Sequence, residues 1–237
     1  MKTDDLKALT KQTAVDHIVN TIKATLSAFP YAGGVVASLI SDYIPKSREK
    51  KTIDFIGKVA EDLEFFKDRV NKDYLKSDEF QYLFQKAWRV AIEHYQAEKI
   101  DGFRAILINS AIGKEATGDD RDLYINILND LTGYHFQLLK VFQNPIEWNK
   151  QHGNRVVGAS MIISLNQILR QCFPEWNEER IALIIDDLYY KKLSSIPSDR
   201  LKVGQTGGGI EKLTHALTPF GQRFIDYVTI EPKRDHS

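Results

Sequence analysis

The chain has 237 residues, of which 43% are hydrophobic and 27% are charged, a balance that fits one large or two small globular domains. Its 32 basic and 32 acidic residues give zero net charge, so the chain lacks the overall basic surplus that is typical of dedicated nucleic-acid-binding proteins. The single cysteine, Cys172, excludes a disulfide within the chain and a zinc site built from cysteines alone.

Cysteine usage and the N-terminal residues indicate the cellular setting. A lone cysteine fits a reducing compartment, and residues 1–17 contain no apolar signal core. The longest apolar stretch, residues 29–40, is shorter than the roughly 20 residues that span a bilayer. The sequence therefore predicts a cytoplasmic protein.

The first 150 residues are predicted to form a helical bundle. Apolar residues recur there at spacings of three and four, which indicates amphipathic helices. We expect five to seven helices, followed by a polar linker at 143–155. The predicted helices end near Pro30 and Pro45 and then cover 47–77, 78–99, 102–112, 120–131 and 134–142.

Residues 33–44 form the most apolar of these predicted helices. A helix that is apolar on most faces is either buried or meets a membrane or a partner. We favour a buried helix at the centre of the bundle. The alternative is a membrane-interacting effector helix, because Tyr31, Tyr43 and the basic residues after Pro45 would suit a membrane surface.

The pattern changes after residue 150. Apolar spacing predicts helices over 156–173 and 176–193, the second capped by Asn177. Residues 194–218 contain a proline and three consecutive glycines, which predicts a two-stranded ribbon with a loose tip at glycines 207–209. A final helix is predicted from Pro219, a residue that suits a first helical turn.

The order helix, helix, glycine-rich ribbon and then Leu217-Thr218-Pro219-Phe220-Gly221 resembles the C-terminal part of a winged-helix domain. The resemblance covers about residues 155–230. It implies that Leu217 and Thr218 end the second wing strand and that the last helix packs back on the core. The predicted fold class is therefore mainly α: a helical bundle at 1–150 and a winged-helix-like α+β module with a small two-stranded wing at 151–237.

The resemblance implies DNA binding as one role, with a recognition helix in the major groove and the wing on phosphates. The candidate recognition helix, 177–193, carries four outward carboxylates that would repel phosphate: Glu178, Glu179, Asp186 and Asp187. Basic residues beyond them are the candidate nucleic-acid-binding residues: Lys191, Lys192, Arg200 and Lys202. The alternative, which the charges favour, is contact with a protein partner or self-association.

Arg89 and His94 have the R-x4-H spacing, which resembles the motif of HEPN-type ribonucleases, themselves small helical bundles. That resemblance implies a dimer in which His94 is a general acid/base and Arg89 stabilises charge on the phosphorane. These residues are the candidate catalytic pair. The alternative is a surface arginine and a histidine at a helix flank.

No metal or cofactor motif is predicted. The histidines lack the paired spacing of metal-binding helices, and Asp119, Asp120 and Asp122 suit the positive end of a helix dipole better than a calcium loop. The glycines at 207–209 lack the spacing of a phosphate-binding loop. The sequence therefore favours a non-enzymatic regulatory or interaction protein that uses no cofactor or metal.

Overall fold

The computed structural model describes residues 49–153, 156, 163–205 and 209–230. These residues are mainly helical and divide into an N-terminal unit, up to Leu128 with Ile230, and a C-terminal unit, 129–229. The helices are α1 (Glu49–Phe65), α2 (Asp78–Ala91), α3 (Ala97–Ala111), α4 (Gly118–Asp130), α5 (Gly133–Gln143), α6 (Pro145–Gln151), α7 (Leu165–Cys172), α8 (Glu178–Tyr190) and α9 (Pro219–Tyr227). The strands are β1 (Ile163–Ser164) and β2 (Gly204–Gln205), and 3-10 turns lie at Tyr74–Lys76, Ser198–Lys202 and Ile210–Leu213.

Helix α3 is the centre of the N-terminal unit. Ten of its 15 residues are buried, because α1 and α2 both pack on it. Arg104 Nε of α3 lies 2.6 Å from Asp62 Oδ2 of α1, and Trp88 Nε1 of α2 donates to Thr52 Oγ1 of α1 at 3.3 Å. The predicted apolar helix at 33–44 lies outside the described residues.

Two predicted helices of this unit are wrong in their bounds. The long helix predicted over 47–77 ends at Phe65, and turns follow it. The helix predicted over 78–99 ends at Ala91, and the next one already begins at Ala97. Apolar residues continue across both breaks with helical spacing, so the pattern did not reveal the turns.

The segment 143–155, predicted to be a linker, contains helix α6. Asn144 caps α6 by accepting a hydrogen bond from the Glu147 N–H at 3.1 Å, and Pro145 starts the helix where no N–H donor is needed. Both α5 and α6 pack within the C-terminal unit, so the compact units divide after Leu128. The division into a helical bundle at 1–150 and a winged-helix-like domain at 151–237 stays a prediction.

Helix α7 begins later than predicted. The sequence predicted a helix from residue 156, whereas α7 starts at Leu165 after the short strand β1. Ser164 fixes this start, because its hydroxyl accepts from the Gln167 N–H at 3.2 Å and its own N–H donates to Gln167 Oε1 at 2.9 Å. This reciprocal cap sets the helix boundary more sharply than apolar spacing does.

The two-stranded wing predicted over 194–218 is not shown by the described residues. Strand β2 pairs antiparallel with β1 instead, and one isolated bridge joins Ser194 to Leu217. The two later 3-10 turns occupy much of the intervening chain. Ile210 and Leu213 are both buried, and this spacing of three suits a 3-10 turn rather than the alternation of a strand. Glycines 207 and 208 lie outside the described residues.

The Leu217-Thr218-Pro219-Phe220-Gly221 sequence holds the start of α9 against the end of α8. Thr218 Oγ1 accepts from the Gly221 N–H at 2.8 Å and donates to the Lys192 carbonyl. The Thr218 N–H donates to the Leu193 carbonyl at 3.1 Å. A Cβ on Gly221 would lie 2.8 Å from the Leu193 carbonyl carbon and closer still to its oxygen, so this position requires glycine.

The final helix packs one face on the core, as the sequence predicted. Its inward side chains fill the core of the C-terminal unit, and Phe220 in its first turn is half-buried. The buried side chains are Phe224, Ile225, Tyr227 and Val228.

We expect Gly221→Ala to lower the free energy of unfolding by about 3 kcal/mol, because backbone atoms of Leu193 occupy the space of the added methyl group. Urea unfolding followed by circular dichroism measures the change. Gly57→Ala in α1 is the control, since nothing lies within 4 Å of a Cβ there and alanine is favoured in a helix by about 1 kcal/mol. An unchanged midpoint for Gly221→Ala would contradict the close approach.

Lys192 has left-handed backbone geometry after α8, with a φ of 61°. We expect Lys192→Gly to raise the free energy of unfolding by about 1 kcal/mol, because glycine adopts this conformation without a clash at Cβ. Lys191→Gly should lower it, since Lys191 has a φ of −74° and glycine weakens helical backbone. Urea unfolding compares the two variants, and changes of the same sign would count against this backbone assignment.

Candidate functional site

Helix α8 has one buried face and one outward face. Asn177 starts the helix as predicted, because its side chain accepts from the Arg180 N–H at 2.8 Å. The predicted inward residues are all buried: Ile181, Ile184, Ile185 and Leu188. They anchor α8 in the core of the C-terminal unit and fix which side chains face outward.

The outward face of α8 carries an exposed apolar pair. Leu183 is 71% exposed and Tyr190 is 76% exposed. The two residues are seven positions apart, so they lie on the same side of the helix with a separation of about 10 Å along its axis. Glu179 is exposed one turn before Leu183. We call Glu179, Leu183 and Tyr190 the outer stripe.

Sequence reasoning missed the apolar part of the outer stripe. It singled out the carboxylates on this face, although Leu183 and Tyr190 are placed opposite the predicted inward residues by the same helical spacing. The signal was therefore available in the sequence. Contiguous exposed apolar patches mark interaction surfaces, whereas scattered single apolar residues are ordinary. Leu183 and Tyr190 are therefore a candidate contact surface.

Two of the predicted outward carboxylates are held at the sides of the stripe by contacts within the chain. Asp186 accepts from Ser198, from its N–H at 3.2 Å and its hydroxyl at 2.8 Å. Asp187 Oδ2 lies 3.0 Å from His135 Nε2, and its Oδ1 lies 3.7 Å from Lys191 Nζ. These carboxylates therefore stabilise the position of α8, and the outer stripe is left to Glu179 and the apolar pair.

His135 joins the start of α5 to α8. Its Nδ1 accepts from the Thr132 N–H at 3.0 Å and lies 2.8 Å from the Thr132 hydroxyl, so the ring proton sits on Nε2, facing Asp187. The order hydroxyl, imidazole, carboxylate would suit nucleophilic catalysis. However, the Nδ1 lone pair already accepts the backbone N–H and cannot act as the base, so the arrangement is a helix cap.

The predicted nucleic-acid-binding residues do not form one patch. Lys202 Nζ lies 3.7 Å from Glu178 Oε2 at the start of α8, whereas Lys191 and Lys192 follow its end. A helix of 13 residues is about 20 Å long, so these basic groups lie far apart. Arg200 is exposed in the turn that also contains Lys202.

Local contacts also engage the basic residues at the end of α8. The Lys191 side chain is only 22% exposed, and its Nζ lies 3.4 Å from Asp130 Oδ2. Lys192 Nζ lies 5.4 Å from the centroid of the Tyr189 ring. Charge used in such pairs is less available to phosphate, because the pairs must be broken or shared when phosphate binds.

Arg89 and His94, the candidate ribonuclease pair, lie on different structural elements. Arg89 is exposed in the last turn of α2. His94 follows the end of that helix, and its ring stacks on Phe103 of α3 with 5.9 Å between centroids. Lys51 Nζ donates to the His94 carbonyl at 3.1 Å. A packing role accounts for the histidine ring, and the catalytic role stays a prediction.

A cavity of about 630 Å³ lies beside α5, α6 and the end of α7. Its apolar wall consists of Trp148 and Phe173, whose rings stack at 4.0 Å on His152 and Trp176, respectively. Most other side chains that line the cavity are polar. The pair Phe173 and Trp176 lies in the connection between α7 and α8, whereas Trp148 and His152 lie at the end of α6.

Asp120, singled out in the sequence, has a structural role at the start of α4. Its carboxylate accepts from the Thr117 N–H and hydroxyl at 3.1 and 2.8 Å, and the Asp120 N–H donates to Thr117 Oγ1 at 3.1 Å. Asp122 Oδ2 pairs with Lys86 Nζ at 2.6 Å. Within the part of the chain that the structure describes, no three His, Cys, Asp or Glu residues form a group that could hold a metal.

No protein-family model, curated protein or solved structure matches the chain. Among the described helices, none is both long enough and apolar enough to cross a membrane.

We expect His135→Ala to lower the free energy of unfolding by about 1–2 kcal/mol, because it removes a helix cap and the contact with Asp187. Chemical denaturation monitored by tryptophan fluorescence measures this loss. His215→Ala is the matched control, since His215 is an exposed histidine of the same unit and surface substitutions usually change stability by less than about 0.5 kcal/mol. Equal losses of unfolding free energy in the two variants would contradict the stabilising role of the His135 contacts.

Proposed function

We propose that this is a non-enzymatic regulatory or interaction protein whose C-terminal residues act as a winged-helix-like module for protein contacts. The order of α7, α8 and α9 supports the winged-helix comparison, as does the antiparallel bridge between Ser194 and Leu217. Gly221 has a steric role in this arrangement, because the absence of a side chain lets α9 pack on the backbone of Leu193.

The exposed apolar pair on α8 is the observation that carries the preference for a protein partner. In the winged-helix comparison, α8 corresponds to the recognition helix that would enter a DNA groove. Leu183 and Tyr190 occupy the middle and end of its outward face, and Glu178 and Glu179 occupy its start. Phosphate-rich DNA favours a basic surface, whereas protein interfaces are enriched in apolar and tyrosine side chains.

A mobility-shift experiment tests this choice. We expect the full-length protein at micromolar concentration to shift neither duplex DNA nor single-stranded RNA at low or moderate salt, because the basic side chains are separated and engaged in local pairs. A salt-sensitive shift that is lost when Lys192, Arg200 and Lys202 are changed to Glu, but is kept in Leu183→Glu, would replace this function by nucleic-acid binding.

The same lanes also test the ribonuclease alternative. The expected result is that the RNA stays intact. Loss of intact RNA that disappears in both Arg89→Ala and His94→Ala would assign catalysis to that pair and would contradict the non-enzymatic proposal.

A further inference from the structure

The cavity beside α5, α6 and the end of α7 lies wholly within the C-terminal unit. Its volume of about 630 Å³ is in the usual range for small-molecule sites. Its lining combines hydrogen-bond acceptors with two aromatic rings. From this combination we infer that the cavity binds a small organic amine, with the ammonium group on the acceptors and the hydrocarbon part on the rings. The cavity shares no residue with the outer stripe, so the amine site stands apart from the proposed protein contact.

Two glutamines of the lining are oriented by hydrogen bonds to carboxylates. Gln143 Nε2 donates to Asp226 Oδ1 at 2.9 Å, and Gln151 Nε2 donates to Glu147 Oε1 at 2.9 Å. An ionised carboxylate accepts but cannot donate, so each partner fixes which end of the amide carries the nitrogen. Neither amide oxygen accepts a hydrogen bond from the part of the chain that the structure describes. Both oxygens are therefore available to a ligand that donates.

His152 supplies a third acceptor with a fixed direction. Its Nδ1 lies 2.7 Å from the Trp148 carbonyl oxygen, which can only accept, so the ring proton sits on Nδ1. In a neutral imidazole the acceptor lone pair is then on Nε2. The ring also stacks on Trp148 with 4.0 Å between centroids. These two contacts hold the ring in place and leave Nε2 to accept from a ligand.

The charge of the lining selects a cation over a neutral donor. Glu147, Glu175 and Lys140 are its charged side chains, and two carboxylates with one ammonium group leave one negative charge. Glu175 is exposed, and none of the described residues forms an ion pair with it. A ligand ammonium group supplies the opposite charge together with three N–H donors. A ligand with a single positive charge therefore matches both the net charge and the acceptors of the lining.

The spread of the acceptors favours an organic cation over a metal ion. A metal ion gathers its ligands within about 2.0–2.6 Å of one centre, and the described residues hold no such group of His, Cys, Asp and Glu. The acceptors of the cavity are instead distributed along α6, whose seven residues span about 10 Å. Trp148 and Phe173 form an apolar wall beside them. The methylene groups of an alkylamine would be removed from water against this wall.

Isothermal titration calorimetry of the full-length protein with butylammonium chloride tests the inference. Butanol is the matched probe, because it has the same hydrocarbon chain without the charge. We expect the amine to bind with a dissociation constant of about 1 mM, since so small a ligand makes few contacts. Butanol should bind at least about tenfold more weakly, because it lacks the charge that matches the lining. Equal binding of the two probes would overturn the inference, as would no binding of the amine at about 10 mM.

Substitutions at exposed positions locate the bound amine. Glu175→Gln should weaken binding about fivefold, because it removes a negative charge at nearly constant shape, and Lys140→Gln should strengthen it about threefold, because it removes a like charge. Asp199→Asn is the control: Asp199 is an exposed carboxylate of the same unit that does not line the cavity, so its binding should match the wild type. Circular dichroism verifies that each variant keeps its helical content. Weaker binding in Lys140→Gln, or equal effects of Glu175→Gln and Asp199→Asn, would overturn the assignment to this cavity.

Discussion

The contact between the start of α9 and the end of α8 is the constraint on which the C-terminal unit depends. After α8, the N–H groups of Leu193 and Ser194 both donate to the Leu188 carbonyl, and Lys192 takes the left-handed conformation that this reversal requires. Gly221 then lets the first turn of α9 lie directly on the Leu193 backbone. This contact fixes the C-terminal end of α8 against α9. It therefore helps to determine which face of α8 is exposed.

Local ion pairs join oppositely charged side chains within each unit. In the N-terminal unit, Asp62 pairs with Arg104, and Lys86 pairs with Asp122. In the C-terminal unit, Lys191 lies between Asp130 and Asp187. Such pairs position the helices. They also weaken the positive surface potential that would attract a nucleic acid. The chemistry of the surface then depends more on its exposed apolar side chains.

Helical class and the inward face of α8 could be predicted from the sequence, because both follow from apolar spacing and a recognisable N-cap at Asn177. The end of α2 at Ala91 could not, since Ile92 continues the apolar spacing beyond the break and is itself buried. Helix α6 is seven residues long, too short for a periodic pattern. The pairing of β1 with β2 joins segments about 40 residues apart, and no local pattern specifies such a pair.

The charge distribution on α8 has a local cause that is independent of any partner. Carboxylates near the start of a helix and ammonium groups near its end are both stabilised by the helix dipole, and Glu178, Glu179 and Lys191 follow this rule. Because the dipole explains these charges within a single helix, the charges alone are not evidence of an interface. The dipole gives no reason for Leu183 and Tyr190 to share the exposed face. That apolar pair is therefore the part of α8 on which the proposed protein contact rests.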